Sequence, residues 1–379
     1  MKRILFVLDE LFPVRGAPQV RIQNLYAGVS SFVRAAVGGR LAEGEEPQGF
    51  TLIKRPSERS PLAFILFLVR LGRLSLRKAR AFKPDFILLS VPKYEMLFFA
   101  PALRKLAPTL ILDFRDSLAF LDYGAYLSHF LPGSIANKIG GLLSRANRVL
   151  QERAIRSATL VTVANEGIRR SIAHPNVTVI PNGVDTETFK PVGKSWYDGR
   201  RPLRLAYLGN FAEKDLFTWL SGLRGIEGIE IHLIGEGRNK VKIASELSGL
   251  QVVFHGSMGH DQLPRLLEQM DLGFIFRKPG VDQSIPVCFF EFTAMNIPSV
   301  CNETGLMAEF VHENGVGYVV RGERELVSLI EGLRRDPNQL KQFKELHALA
   351  ERKFSLRASR EKFASLLESF EETERAQNE

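Results

Sequence analysis

Residues 177–208 read VTVIPNGVDTETFKPVGKSWYDGRRPLRLAYL, and the reading of this stretch decides the fold. It opens on a short apolar run, Val177–Ile180, that is cut at once by the turn formers Pro181-Asn182-Gly183. The segment 183–202 is rich in Gly, Pro and charge, and after Arg201-Pro202 a second apolar run, Leu203–Tyr207, starts a new series. Such density of punctuating residues does not continue an element. The stretch therefore predicts a linker between two domains.

Working outward from it, the same order of elements appears on both sides. Upstream, apolar runs at Ile4–Leu8, Phe86–Leu89, Leu110–Asp113, Leu160–Val163 and Val177–Ile180 alternate with helical patterns at about 18–30, 62–82, 94–106, 134–157 and 165–173. Downstream, runs at Leu203–Tyr207, Ile229–Ile234, Val252–His255, Leu272–Phe276, Ser299–Cys301 and Gly317–Val320 alternate with helical patterns at about 214–224, 238–247, 261–269, 289–295, 306–312 and 323–335. Strand, helix, strand in repetition implies parallel sheets with right-handed crossovers. The predicted class is α/β, with two doubly wound Rossmann-like domains in tandem. The expected boundaries are 1–185 for the first domain, 186–202 for the linker and 203–350 for the second, with 351–379 as terminal helices packing back toward the first domain. Such sheets bind ligands beyond the carboxyl ends of their strands, so two of them are expected to face each other across a cleft.

A chain of 379 residues with 45% hydrophobic and 25% charged residues is neither disordered nor fibrous. Its two cysteines, Cys288 and Cys301, form no disulfide framework and no zinc spacing, which suits a reducing compartment. The start MKRILFVLD reads as a first strand rather than a secretory signal, and the longest apolar run, Leu62–Val69, falls far short of a membrane span. A cytoplasmic protein is expected. The sequons at Asn176 and Asn302 then read as chance matches.

Charge is unevenly spread. Residues 1–193 hold 27 Lys and Arg against 15 Asp and Glu, while residues 194–379 hold 24 against 27. Arg70, Arg73, Arg77 and Arg80 fall at three- and four-residue steps and form one stripe of a helix, opposite an apolar side of Phe64, Phe67, Leu68, Leu71 and Leu74. Two readings stay open: a basic amphipathic helix resting on an anionic membrane surface at the inner face of the membrane, and a core-packing helix with a solvated basic face. No aromatic-interleaved basic motif or zinc-finger spacing points to nucleic acid.

Gly235-Glu236-Gly237 after the run IEIHLI lacks the third glycine of a dinucleotide fingerprint and reads as a tight turn. None of the seven His residues forms a metal triad by spacing.

Several loops together resemble the GT-B-fold retaining glycosyltransferases of family 4, which use nucleotide sugars. The resemblance is carried in order by FPVRGAPQVR (12–21), LILDFRDSL (110–118), VIPNGVDTETFKP (179–191), LAYLGNFAEKD (205–215), HLIGEGR (232–238) and SIPVCFFEFTAMNIPSV (284–300), the last similar to the family's S-x-P-x-K-x-x-E-Y-x-A-x-G-x-P. It implies a nucleotide diphosphate sugar as co-substrate, a glycan or lipid-linked acceptor, and no metal or other cofactor.

The roles follow from that resemblance. Transfer from a nucleotide diphosphate leaves negative charge on the departing pyrophosphate. Lys214 matches the family's pyrophosphate lysine; an ordinary solvated lysine is the competing reading. Gly16 and Ala17 stand where the family has adjacent glycines against the donor phosphate and sugar, and Gly16 alone could simply turn the chain. Glu291 matches the carboxylate that accepts the ribose hydroxyls, against a helix-capping acid as the alternative. Gly209, Asn210, Gln283 and Ser284 complete the donor set. Asp116 is the candidate catalytic carboxylate that orients the acceptor hydroxyl, and an Arg115–Asp116 loop pairing competes with that role.

Three positions depart from the family pattern: Asn210 replaces an arginine, Cys288 a lysine, and Gln283 a glutamate. Arg277 and Lys278 are the candidate replacement cations for the phosphates. The expectation is a hexosyl- or N-acetylhexosaminyl-type transferase, with a noncatalytic nucleotide-sugar or glycan-binding relative and a nucleotide-sugar epimerase as alternatives.

Overall fold

The computed structural model of the protein describes residues 1–8, 17–40, 48–56, 61–91, 94–115, 132–211, 216–278, 285–303 and 305–378. The chain forms two compact units, residues 1–182 with 359–379 and residues 183–358.

The first unit is a seven-stranded parallel sheet in the order β3-β2-β1-β4-β5-β6-β7. Its strands are β1 (Arg3–Val7), β2 (Val33–Arg40), β3 (Phe50–Lys54), β4 (Phe86–Val91), β5 (Thr109–Phe114), β6 (Leu160–Val163) and β7 (Val177–Val179). Unbroken apolar runs such as FILLSV in β4 arise because helices cover both faces of a parallel sheet. One face is packed by α2 (Pro61–Phe82), a 3-10 turn at Tyr94–Phe99, α3 (Ala100–Arg104), α4 (Gly133–Ser157) and α5 (Glu166–Ser171). The opposite face holds α1 (Ala17–Gly28) and the C-terminal helix, whose Phe363 and Leu367 lie among Ile4, Phe6 and Leu88.

The second unit is a six-stranded parallel sheet in the order β10-β9-β8-β11-β12-β13. It comprises β8 (Leu203–Leu208), β9 (Ile229–Ile234), β10 (Val252–Gly256), β11 (Leu272–Ile275), β12 (Ser299–Asn302) and β13 (Gly317–Val320). Its helices are α6 (Lys240–Glu246), α7 (Leu263–Leu267), α8 (Val287–Ala294), α9 (Gly305–Asn314), α10 (Glu323–Arg335) and α11 (Leu346–Lys353). The last helix, α12 (Leu356–Asn378), belongs to the first unit from Ser359 onward. Residues 183–202 are part of the second unit, where Phe189 and Tyr197 are buried in its two hydrophobic clusters.

The outgoing and returning stretches of chain are bonded to each other inside the second unit. Val184 N–H donates to Phe354 O at 2.8 Å and Leu356 N–H to Val184 O at 2.9 Å. Gly183 is read from sequence only as a turn residue, but a Cβ there would lie 2.7 Å from Leu356 N, so the close pass itself requires glycine.

Two strands and two helices differ from the sequence expectation. β2 and β3 go unread because VRAAVGGR has neither alternation nor bulk; its small residues are needed to fit Ala35 and Ala36 beneath the helices. The helix expected at 94–106 is a 3-10 turn followed by the short α3, because Pro101 has no N–H to continue the ladder. Among the described residues of the expected helix 214–224, the regular element is a 3-10 turn, Thr218–Leu223, where Gly222 lies against Glu323 at the start of α10.

Candidate functional site

In the second sheet the chain runs β8, β9, β10 in one direction and then returns to the other side of β8 for β11. This reversal leaves a crevice beyond the carboxyl ends of β8 and β11, where an open doubly wound sheet takes its ligand. The loops that border it are Gly209–Phe211 and Phe276–Lys278, with α8 following.

The first loop is held rigidly. Tyr207 at the end of β8 donates its hydroxyl to Asn210 O at 2.7 Å, over a floor formed with Phe211, Phe217 and Phe274. Gly209 N–H donates to Ile234 O and Phe211 N–H to Glu236 O, so this loop lies backbone to backbone on the Gly235-Glu236-Gly237 turn. A Cβ on Gly235 would meet Gly209 O at 2.0 Å, and one on Gly237 would meet Phe211 N at 2.7 Å. The two glycines thus serve a close approach of two loops. Asn210 is exposed at the tip.

Glu291 is the fifth residue of α8, not its first turn, so the capping reading fails. It is only 7% exposed, and burial pushes its carboxyl up to about 7. Among the described residues its ionic partner is His260, whose Nδ1 is 3.9 Å from Oε1 and whose ring packs edge-on against Phe189. A desolvated carboxylate with so little internal satisfaction is suited to accept hydrogen bonds from a ligand's hydroxyls.

Arg277 and Lys278 diverge. Lys278 is exposed, whereas Arg277 is buried and acts on the Tyr207 phenol, whose pKa is raised chiefly by burial and further by Cys288, with Arg277 opposing. Arg277 and Cys288, the latter where the motif has its lysine, thus both act on Tyr207. Asn302, at the end of β12, clamps the loop: its Oδ1 accepts Arg277 N–H and its Nδ2 donates to Arg277 O, both at 2.9 Å. Sequence reading saw Asn302 only as a sequon; it is 3% exposed and spent on this clamp. Cys288 is a buried helix residue within the apolar cluster, as its sequence context implied.

Lys214, Gln283 and Ser284 lie outside the described residues, as do Gly16 and Asp116 in the first unit. Ala17 opens α1, and Arg115 is buried at the end of β5. Sequence reading missed the first unit's main polar anchor, Arg21 with Asp113, although both residues lie inside quoted motifs. Among the described residues, no group of three or more His, Cys, Asp and Glu could hold a metal ion.

Residues 203–336 match the family model described as glycosyl transferases group 1. No curated protein matches the chain in sequence. Among solved structures, Anabaena HepE in complex with UDP-glucose aligns at a TM-score of 0.69 with 17% identity, over 97% of this chain and 100% of that one. Sucrose-phosphate synthase from Thermosynechococcus elongatus aligns at 0.74 with 13% identity over 98% and 100%. WaaG, a glycosyltransferase involved in lipopolysaccharide biosynthesis, aligns at 0.66 with 14% identity over 96% and 99%. At such identities the likeness is one of fold. The chain has the two-domain Rossmann-like GT-B architecture, and its second unit carries the match to the glycosyl transferases group 1 family.

Proposed function

We propose that this protein is a retaining glycosyltransferase that moves a hexosyl or N-acetylhexosaminyl group from a nucleotide diphosphate sugar to a hydroxyl of a glycan or lipid-linked acceptor. The observation that carries the reading is Glu291, a buried carboxylate with its pKa raised to about 7, on the helix beside the sheet's reversal point and within the family-matched segment. HepE is a GT-B neighbour solved with UDP, with UDP-glucose, and with UDP and glucose, which supports a nucleotide sugar as donor here.

In this reading the ribose hydroxyls donate to Glu291, and the loop Gly209–Phe211 lies against the diphosphate. Lys214, Arg277 and Lys278 offset the charge that grows as the sugar C1 to phosphate oxygen bond breaks. The acceptor oxygen bonds C1 on the same face, and its proton passes to the departing phosphate oxygen. Asp116 orients that hydroxyl; Gly16, Ala17, Gln283 and Ser284 border the donor. The protein cations take the place that a metal ion would fill. Two buried cysteines outside any disulfide suit a cytoplasmic setting.

The test is release of nucleotide from a panel of nucleotide sugars with glycan and lipid-linked acceptors. A Lys214→Ala variant should lose more turnover than donor affinity, because its charge acts as the bond breaks. Failure to bind any nucleotide sugar would refute the reading. The altered positions Asn210, Gln283 and Cys288 favour a noncatalytic binder as the second reading; binding without turnover would establish it, and epimerised donor in the absence of acceptor would reveal an epimerase.

A further inference from the structure

Helix α4 is amphipathic in an inverted sense. Its large apolar side chains Ile135, Ile139, Leu142 and Val149 are exposed, Leu142 at 68%, whereas the residues it buries over the same stretch are the small Ala136 and Gly140. Steps of four, three and seven residues place the four on one stripe, about 20 Å long at 1.5 Å per residue. Ordinary surface helices turn such residues inward.

The stripe does not stand alone. α4 packs on the 3-10 turn Tyr94–Phe99 and on α3, and these pack in turn on α2, where Gly72 makes room for the Phe99 ring. All lie on one face of the first sheet. Outward from this layer stand Phe98, 62% exposed, and Leu66 and Val69 of α2, next to the stripe Arg70, Arg73, Arg77 and Arg80, all four exposed. Phe67, Leu68 and Leu71, by contrast, are in the core. α2 and α4 together carry ten Lys and Arg, and their one acid is Glu152. α12, on the other face, has four basic and five acidic residues.

We propose that this layer is a docking surface for an anionic lipid bilayer. α4 lies in the interface plane with Ile135, Ile139, Leu142 and Val149 below the headgroups, and the α2 arginines rest on the lipid phosphates. Charge selects this occupant over a second copy of the chain, since pairing two α4 helices would set Lys138, Arg145 and Arg153 against their own kind. The layer rests on the surface rather than crossing it: no described helix is long and apolar enough to span a membrane.

Sedimentation with phosphatidylglycerol-containing vesicles and with pure phosphatidylcholine vesicles tests this, without donor or acceptor, so the outcome is independent of turnover. The wild type should bind the anionic vesicles at low salt and be released as salt rises. Leu142→Ser with Val149→Ser should weaken binding at least about tenfold with no change in charge, as lost burial of two apolar side chains demands. Arg→Gln at 70, 73, 77 and 80 should weaken it as much and make the salt dependence shallower, the remainder being carried by Lys78 and the α4 cations. Both variants alter exposed residues, and their thermal midpoints report whether they stay folded. Equal binding of the serine variant and the wild type, or equal binding to the two vesicle types, would overturn the proposal. So would a dimer in ultracentrifugation that Leu142→Ser dissolves.

Discussion

Arg21 and Asp113 form a buried two-point ion pair, with Nη2 2.7 Å from Oδ1 and Nε 3.1 Å from Oδ2. Asp113 also accepts the Thr162 hydroxyl at 2.8 Å, and Arg21 donates to Ile180 O and to Asn182 Oδ1. One guanidinium thus joins α1, β5 and the end of the chain's first pass through this unit, just before it crosses at Gly183. Both charges are desolvated, and each is satisfied by the other together with neutral polar groups.

Removing both partners should therefore cost less than the two single removals added together. Arg21→Met and Asp113→Leu are each expected to lower stability by about 3–5 kcal/mol, because each strands a buried charge. The double variant should fall well short of their sum, giving a coupling energy on the order of 1–3 kcal/mol. Denaturant unfolding of the four proteins measures it. Additive losses would mean that the two charges are independently solvated.

Glu291 predicts a pH dependence of definite sign. Its folded pKa of about 7 stands above the ordinary 4.5, so the folded state holds this proton more tightly than the unfolded chain does. The stabilising contribution is full below about pH 4.5, is lost as pH rises toward 7, and is absent above. Over that window the shift corresponds to about 3 kcal/mol. Glu291→Gln should accordingly unfold at a higher midpoint than the wild type at pH 8 and near the same midpoint at pH 4. Nucleoside diphosphate binding should move oppositely: weaker in the variant by about 1–3 kcal/mol at pH 8, and falling more steeply in the wild type than in the variant as pH drops below 7, where the ligand's own phosphate also takes up a proton. Calorimetry at the two pH values separates these effects.

Much of the architecture was legible because periodicity survives in single elements. The strands Ile229–Ile234 and Gly317–Val320 and the helix Glu323–Arg335 coincide with their sequence readings, since each buries one continuous apolar run or stripe. β2 was opaque because its burial depends on small residues beneath neighbouring helices, a tertiary demand without local signature. For the site, the resemblance led to Glu291 and to the loop at Gly209, but not to the Asn302 clamp or to Tyr207. Asn302 acts through backbone groups 25 residues away, of which spacing carries no trace, and the Tyr207 hydroxyl bonds a loop carbonyl that no motif names. Nor did the stripe on α4 show itself in sequence, where Ile135 and Leu142 look like core residues until Ala136 and Gly140 prove to be the buried side.

The glycines of the GEG turn should respond unequally to alanine compared with a glycine in open space. Gly235 has φ +134° and would drive a Cβ into Gly209 O, so Gly235→Ala should displace the Gly209–Phe211 loop, with stability falling by about 1–3 kcal/mol and nucleotide affinity with it. Gly332, inside α10 with nothing near its missing Cβ, should gain about 0.4–1 kcal/mol on Gly332→Ala and leave nucleotide affinity unchanged. Thermal melts with and without nucleoside diphosphate read both.

Asn302 should prove a positioning residue for the cation behind it. Its amide satisfies both the N–H and the O of Arg277, closing a small ring that fixes the backbone where β11 gives way to the loop. Asn302→Ala strands two buried backbone groups, at a cost of about 1–3 kcal/mol in stability. Asp in its place keeps the acceptor for Arg277 N–H but loses the donor to Arg277 O. If the loop's set is what places the Arg277 charge against the departing diphosphate, kcat should fall in both variants by more than KM for the nucleotide sugar rises, and Asn302→Asp should retain more activity than Asn302→Ala. Arg277→Met, which removes the charge and leaves the clamp, should reproduce the kcat loss with an unaltered melting midpoint. Full activity in Arg277→Met alongside a damaged Asn302→Ala would show that the clamp serves stability alone and leave the diphosphate to the remaining cations.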